Sequence, residues 1–211
     1  MAIILDVFYP LFFYYLVGIF VNRITGTALD ALSRTALMAL LACPAAGWIY
    51  RRERKKQHTE KKKMPVGSYW IPCILGAVGN FFCSWLMVLS GVTGRFSNEV
   101  QEELLTGNLA VQIAGLGILI PVAEELIFRG LMYGNMKKYV SAAQAVVLGA
   151  LIFALYHGNP IQMIYAFPMG ILLNVVYEKW GSLTAPILLH MSANLSTVFL
   201  PLLNELIEKF W

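Results

Sequence analysis

Seven long apolar stretches, separated by short polar joints, leave this chain few folds to choose from. Gaps between charges place them at about 2–21, 31–50, 69–92, from 109 onward, 141–157, 161–177 and 183–200. Only 13% of the residues are charged and 58% are hydrophobic, whereas a soluble domain carries about 25% charged residues. So little charge cannot clothe a globular surface in water, and the natural solvent is a bilayer. At about 20 residues per span, 211 residues hold six to eight helices. The expected fold is all-α: a polytopic transmembrane bundle of about seven helices, with residues 1–211 forming one membrane-embedded domain. Gly158–Asn159–Pro160 and Gly181–Ser182 read as the turns around the sixth stretch.

The formal charge of +4 is not a nucleic-acid signal, because eight of the sixteen Lys/Arg residues fall between Arg51 and Lys63. A basic loop between apolar segments reads as cytoplasmic; docking on anionic lipid headgroups is the alternative. That choice puts the N-terminus and Lys137, Lys138 and Lys179 on the cytoplasmic side, with Arg23, Arg34, Arg95 and Lys209 outside. The tail from Asn204 to Trp211 either continues the last span outward or lies along the interface as a short amphipathic helix. Cys43, Cys73 and Cys83 all sit in apolar segments without a CxxC pair and read as packing residues. The first apolar stretch starts without a basic leader and is expected to be a retained span. The setting expected is a bacterial cell membrane.

Ionisable groups inside spans are costly and normally face a partner or a cavity. The fourth stretch carries Glu124, Glu125 and Arg129. Glu125 and Arg129 stand four apart on one helix face, acid first, which is the favourable order for pairing. Glu124 is rotated about 100° away, so one carboxylate can be structural while its neighbour faces a cavity. Equally, both can simply mark the end of a span. The fifth stretch ends at His157, one turn after Phe153, and the seventh carries His190 one turn before Asn194. Taken singly, His157 could be a helix-end histidine and His190–Asn194 an interhelical hydrogen-bonding pair. His58 lies in the basic loop and reads as solvated. Together, a carboxylate, an imidazole and an imidazole–amide pair on three apolar helices suggest a wet catalytic cavity.

These residues carry a resemblance. The chain is similar to the CPBP family, the CAAX proteases and bacteriocin-processing proteins that include the Ras-converting CAAX endopeptidase. The family pattern of EExxxR, then FxxxH, then HxxxN reads here as Glu124–Glu125 with Arg129, Phe153 with His157, and His190 with Asn194. The likeness covers about 110–200 and places the catalytic helices at about 109–200. It implies an intramembrane endopeptidase that acts on a membrane-associated peptide or protein tail. Glu124 would be the general base that activates water, His157 would help hold that water, and His190 and Asn194 would stabilise the oxyanion. Glu125, Arg129 and Phe153 would support them.

No cofactor is expected, although Glu124, His157 and His190 could in principle form a three-ligand Zn²⁺ site. The chain lacks HExxH, and the one-turn partner of His190 is an asparagine, a better hydrogen-bond donor than a zinc ligand. A non-catalytic immunity or peptide-binding protein of the same fold is the alternative function. A proton pathway would need polar steps spread across the membrane, whereas these converge on late helices. Depth poses a difficulty. Glu124 and His157 lie about 21 and 24 Å from the inner surface at 1.5 Å per residue, and His190 only about 12 Å, unless a helix tilts or a loop dips in near Gly181.

The topology is testable. Single cysteines at Lys62 and Gln101, in a cysteine-free background, are expected to react with impermeant reagents from opposite faces. Labelling from one face would overturn the number of spans between them.

Overall fold

The computed structural model describes residues 2–56, 64–95 and 99–210, so His58, Lys62 and the basic loop beyond Lys56 lie outside the described residues. Apolar sequence here becomes helix, because in lipid each backbone polar group must be satisfied within its own segment. The helices are α1 (Ala2–Thr25), α2 (Ala31–Lys56), α3 (Trp70–Leu89), a short α4 (Glu99–Leu105), α5 (Leu109–Met136), α6 (Ala142–Tyr156), α7 (Pro160–Trp180) and α8 (Thr184–Phe210). Among the described residues no strand occurs. Six of these helices are long and apolar enough to cross a membrane. The seventh apolar stretch, α6, has 15 residues and rises about 22 Å, short of the roughly 30 Å hydrocarbon core.

The exterior is apolar, as a lipid-facing surface must be. Phe12, Tyr15, Val78, Phe81 and Leu155 are all more than half exposed. The polar ends of the helices sort by face. Asp6 on α1 accepts a hydrogen bond from Tyr139 at 2.9 Å and pairs with Lys138 at 3.1 Å. Tyr9 donates to Glu53 at the end of α2, and Lys137 pairs with Glu178 near the end of α7. The start of α1 and the ends of α2, α5 and α7 therefore meet at one end of the bundle, the end that carries Arg51 to Lys55. The tail from Asn204 to Phe210 does not turn aside; it continues α8.

Lipid gives helices no hydrophobic reason to associate, so close packing and interhelical hydrogen bonds do the joining. The contact between α3 and α8 shows both. A Cβ placed on Gly76 would stand 2.0 Å from the backbone oxygen of Leu189, so the two main chains touch there. Ser192 donates to the carbonyl of Cys73 at 2.6 Å, and Asn80 donates to Ser196 at 2.7 Å while accepting from Tyr165 at 2.7 Å. On the other side of α7, a Cβ on Gly170 would come within 3.1 Å of the Ala150 backbone in α6.

Gly76→Ala is expected to lower stability by about 1–3 kcal/mol through overpacking, against a helix-propensity gain of about 1 kcal/mol. Gly47→Ala, where nothing lies within 4 Å of an added Cβ, is expected to be neutral or stabilising. Thermal unfolding in detergent compares them; equal midpoints for Gly76→Ala and wild type would show that α3 and α8 part at no cost.

Candidate active site

The long helix α5 is not uniform. Gln112–Leu119 and Leu126–Tyr133 are π-helical, and between them Ile120–Glu125 is α-helical and carries both glutamates. Single π turns in helices often mark functional sites. Here one physical cause is visible. Ile120 donates its N–H to Gly115, five residues back. The next bond in that register would run from residue 121 to Leu116, but Pro121 has no N–H to give. The freed carbonyl of Leu116 instead accepts a hydrogen bond from Asn194 Nδ2 of α8 at 2.9 Å. Asn194 thus ties α8 to the break in α5, and this committed N–H fixes the direction of its second one.

The two glutamates divide as their helical spacing allows. Glu125 is fully buried and pairs with Arg129 at 3.0 Å. Arg129 is also fully buried; its Nε donates to Asn174 Oδ1 at 3.0 Å and its second terminal nitrogen to the Gly170 carbonyl at 3.3 Å. Its guanidinium lies 4.3 Å over the ring of Phe153. Asn174 passes the link on by donating to the Val146 carbonyl at 2.8 Å. A charge taken out of water is tolerable only when its donors are met in this way.

His190 stands between the two carboxylates. Its Nδ1 lies 2.8 Å from Glu125 Oε1 and its Nε2 lies 3.7 Å from Glu124 Oε2. Glu125 Oε1 already accepts from Arg129, so it is a carboxylate oxygen and the imidazole Nδ1 is the donor. The Nε2 edge therefore turns toward Glu124 across a gap too long for a direct hydrogen bond, the kind of separation that a water spans. His157 Nδ1 lies 2.8 Å from the Phe153 carbonyl. A carbonyl can only accept, so Nδ1 carries the proton and the neutral ring keeps an acceptor at Nε2. Phe153 separates the histidines, edge to face with His157 at 4.9 Å and with His190 at 5.9 Å.

The depth difficulty resolves through the turn before α8. Gly181 takes a left-handed conformation at φ 60° and closes α7 by donating to Tyr177 at 2.8 Å. Leu183, just after it, is buried against Gly130, where an added Cβ would meet Leu183 at 3.2 Å. Gly130 lies six residues above the end of α5, so α8 begins about 9 Å inside the level of that end. This recessed start brings His190 to the level of Glu124.

The structure therefore brings Glu124, Glu125, Arg129, Phe153 and His190 into one cluster, with His157 on the far edge of Phe153 and Asn194 one turn beyond His190. Sequence reasoning missed Asn174 and Gly170, the partners of Arg129. Asn174 had a signal, an amide alone within an apolar span. Among the described residues, no group of three or more His, Cys, Asp or Glu is arranged to hold a metal ion. The Zn²⁺ alternative built on Glu124, His157 and His190 finds no ready three-ligand set in this geometry.

Comparison with known proteins points to the same segment. Residues 106–196 match the family model described as type II CAAX prenyl endopeptidase Rce1-like. The chain is 28% identical over 119 residues to the membrane-embedded CAAX protease MroQ of Staphylococcus aureus (strain USA300), a match covering 53% of this chain and 48% of that protein. It is 24% identical over 119 residues to the UPF0177 protein YxdF of Lactococcus lactis subsp. lactis (strain IL1403), covering 55% of this chain and 66% of that protein. The matches thus span about half the length of the first relative and just under two thirds of the second. No solved structure matches. The motifs that converge on Glu124 all lie in the matched segment, and through it this integral membrane chain is a relative of the Rce1-like CAAX endopeptidases.

Proposed function

We propose that the protein is an intramembrane endopeptidase that hydrolyses a peptide bond in a membrane-associated peptide or protein tail, with Glu124 as the base. The observation that carries this reading is the His190 bridge, with one imidazole edge held by a structural carboxylate and the other facing a second carboxylate 3.7 Å away. A merely structural pair of glutamates would give each of them a partner of the Arg129 kind. We place the protein in a bacterial cell membrane with its N-terminus and basic end cytoplasmic, following the distribution of Lys and Arg.

In the reaction, water sits between Glu124 and the acceptor Nε2 of His157. Glu124 takes one proton as the water oxygen bonds to the scissile carbonyl carbon. The carbonyl oxygen becomes an oxyanion and is met by donors: the second N–H of Asn194, and His190 Nε2 when that nitrogen carries a proton. Such preorganised donors are worth about 2.7–4 kcal/mol each. Glu124 then returns its proton to the departing nitrogen, the C–N bond breaks, and a carboxylic acid and an amine are released. Glu125 and Arg129 touch neither reactant; they hold His190 and the helix turn that carries Glu124. The residues supply this sequence of proton transfers without a cofactor, and no step in it needs a metal.

Glu124→Gln is expected to abolish cleavage of membrane peptides, read by mass spectrometry of reconstituted protein, with its thermal midpoint close to wild type. Glu125→Gln is expected to cost about 3–5 kcal/mol of stability, because it strands Arg129. Full activity in Glu124→Gln, with activity lost in a stable Glu125→Gln, would exchange their roles.

Metal dependence has its own measurement. Activity is expected to survive exhaustive chelation, and elemental analysis of active protein is expected to find no stoichiometric zinc. Zinc at one equivalent, with activity lost on stripping and regained on its return, would replace the metal-free mechanism and make His190 a ligand.

A further inference from the structure

The first helix contributes a buried group that the motifs do not include. Tyr14 of α1 is 1% exposed, and its hydroxyl has no hydrogen-bond partner. A phenol buried without a partner gives up its hydrogen bond to water for nothing in return, so its presence asks for an explanation. Its surroundings offer one. The ring lies 6.1 Å from that of Tyr156, the residue before His157, and Tyr156 packs 5.1 Å from Phe128 and 5.7 Å from His157. The Glu124 carboxylate is near enough to act electrostatically on both phenols.

The other donors near Glu124 are largely committed. His157 Nδ1–H is held by the Phe153 carbonyl, His190 Nδ1–H by Glu125, and one Asn194 N–H by Leu116. The Tyr14 O–H has no such commitment. We propose that Tyr14 is a further catalytic residue, whose hydroxyl donates a hydrogen bond to the scissile carbonyl oxygen as that oxygen gains negative charge. The proton stays on Tyr14; the bond is made in the transition state and released with the product. This role rests on the hydrolytic reading of Glu124, and it extends the site to a helix outside the matched segment 106–196.

The test reconstitutes wild type, Glu124→Gln, Tyr14→Phe and Tyr133→Phe in liposomes. Each is given the same synthetic library of apolar-flanked fluorophore–quencher peptides. Tyr133 is the control, a second buried hydroxyl without a partner that packs on Tyr177 at 5.8 Å and lies near Lys137. Tyr14→Phe is expected to lower kcat by about 10²–10³-fold, the loss typical of one oxyanion donor, with KM little changed. Its thermal midpoint is expected to equal or exceed that of wild type, because the hydroxyl has no bond to lose. Tyr133→Phe is expected to keep wild-type kcat. Wild-type kcat in Tyr14→Phe, beside an inactive Glu124→Gln, overturns the inference and leaves the hydrolytic reading standing. A Tyr14→Phe protein that loses stability in step with activity also overturns it. Equal cleavage by wild type and Glu124→Gln, or no cleavage by wild type, overturns the hydrolytic reading and the inference with it.

Discussion

Arg129 is the residue to which the rest of the catalytic half must adapt. A guanidinium out of reach of water costs several kcal/mol unless its donors are met. Meeting them brings together elements far apart in the chain. Glu125 answers from the same helix, Asn174 and the Gly170 carbonyl answer from α7, and the face of Phe153 closes over it from α6. Gly170 is glycine where α7 lies against α6, and Asn174 turns its own amide to the Val146 carbonyl. The ion pair then serves a second purpose. Its carboxylate oxygen has room for one more donor, and His190 takes that place.

A division of labour between adjacent glutamates follows. Glu125 is consumed by structure, so its charge is compensated and its position fixed. Glu124, one residue earlier and rotated away, reaches the other edge of the same imidazole. A single histidine held rigidly on one side and open on the other is a plausible way to place a base without also neutralising it. The fold can host other functions, and it is this local arrangement that argues for chemistry.

Irregular backbone supports the arrangement. In a bilayer, a helix can be interrupted only where neighbours satisfy the groups it frees. Pro121 frees the Leu116 carbonyl, and Asn194 satisfies it. The turn after α7 is recessed behind a left-handed Gly181, with Leu183 buried against Gly130, and this sets the height of His190. On the outer side of α8, main-chain contact at Gly76 and the Asn80 hydrogen bonds hold the helix that carries both His190 and Asn194.

By itself the sequence determined the solvent, the class and the motif residues. Low charge and long apolar stretches demand a bilayer and hence helices, because backbone hydrogen bonding in lipid allows little else. Spacing of four paired Glu125 with Arg129, since that relation is local to one helix. The partners of Arg129 were beyond its reach, for Asn174 and Gly170 lie more than forty residues away and no periodicity links them. The relative heights of Glu124, His157 and His190 were also undetermined, because rise per residue measures depth only if each helix begins at the membrane surface. Tyr14 looked like one more aromatic in an apolar span. Tertiary packing alone decided that its hydroxyl is buried without a partner and near Glu124, because a side chain's solvent is chosen by its neighbours in space rather than in sequence.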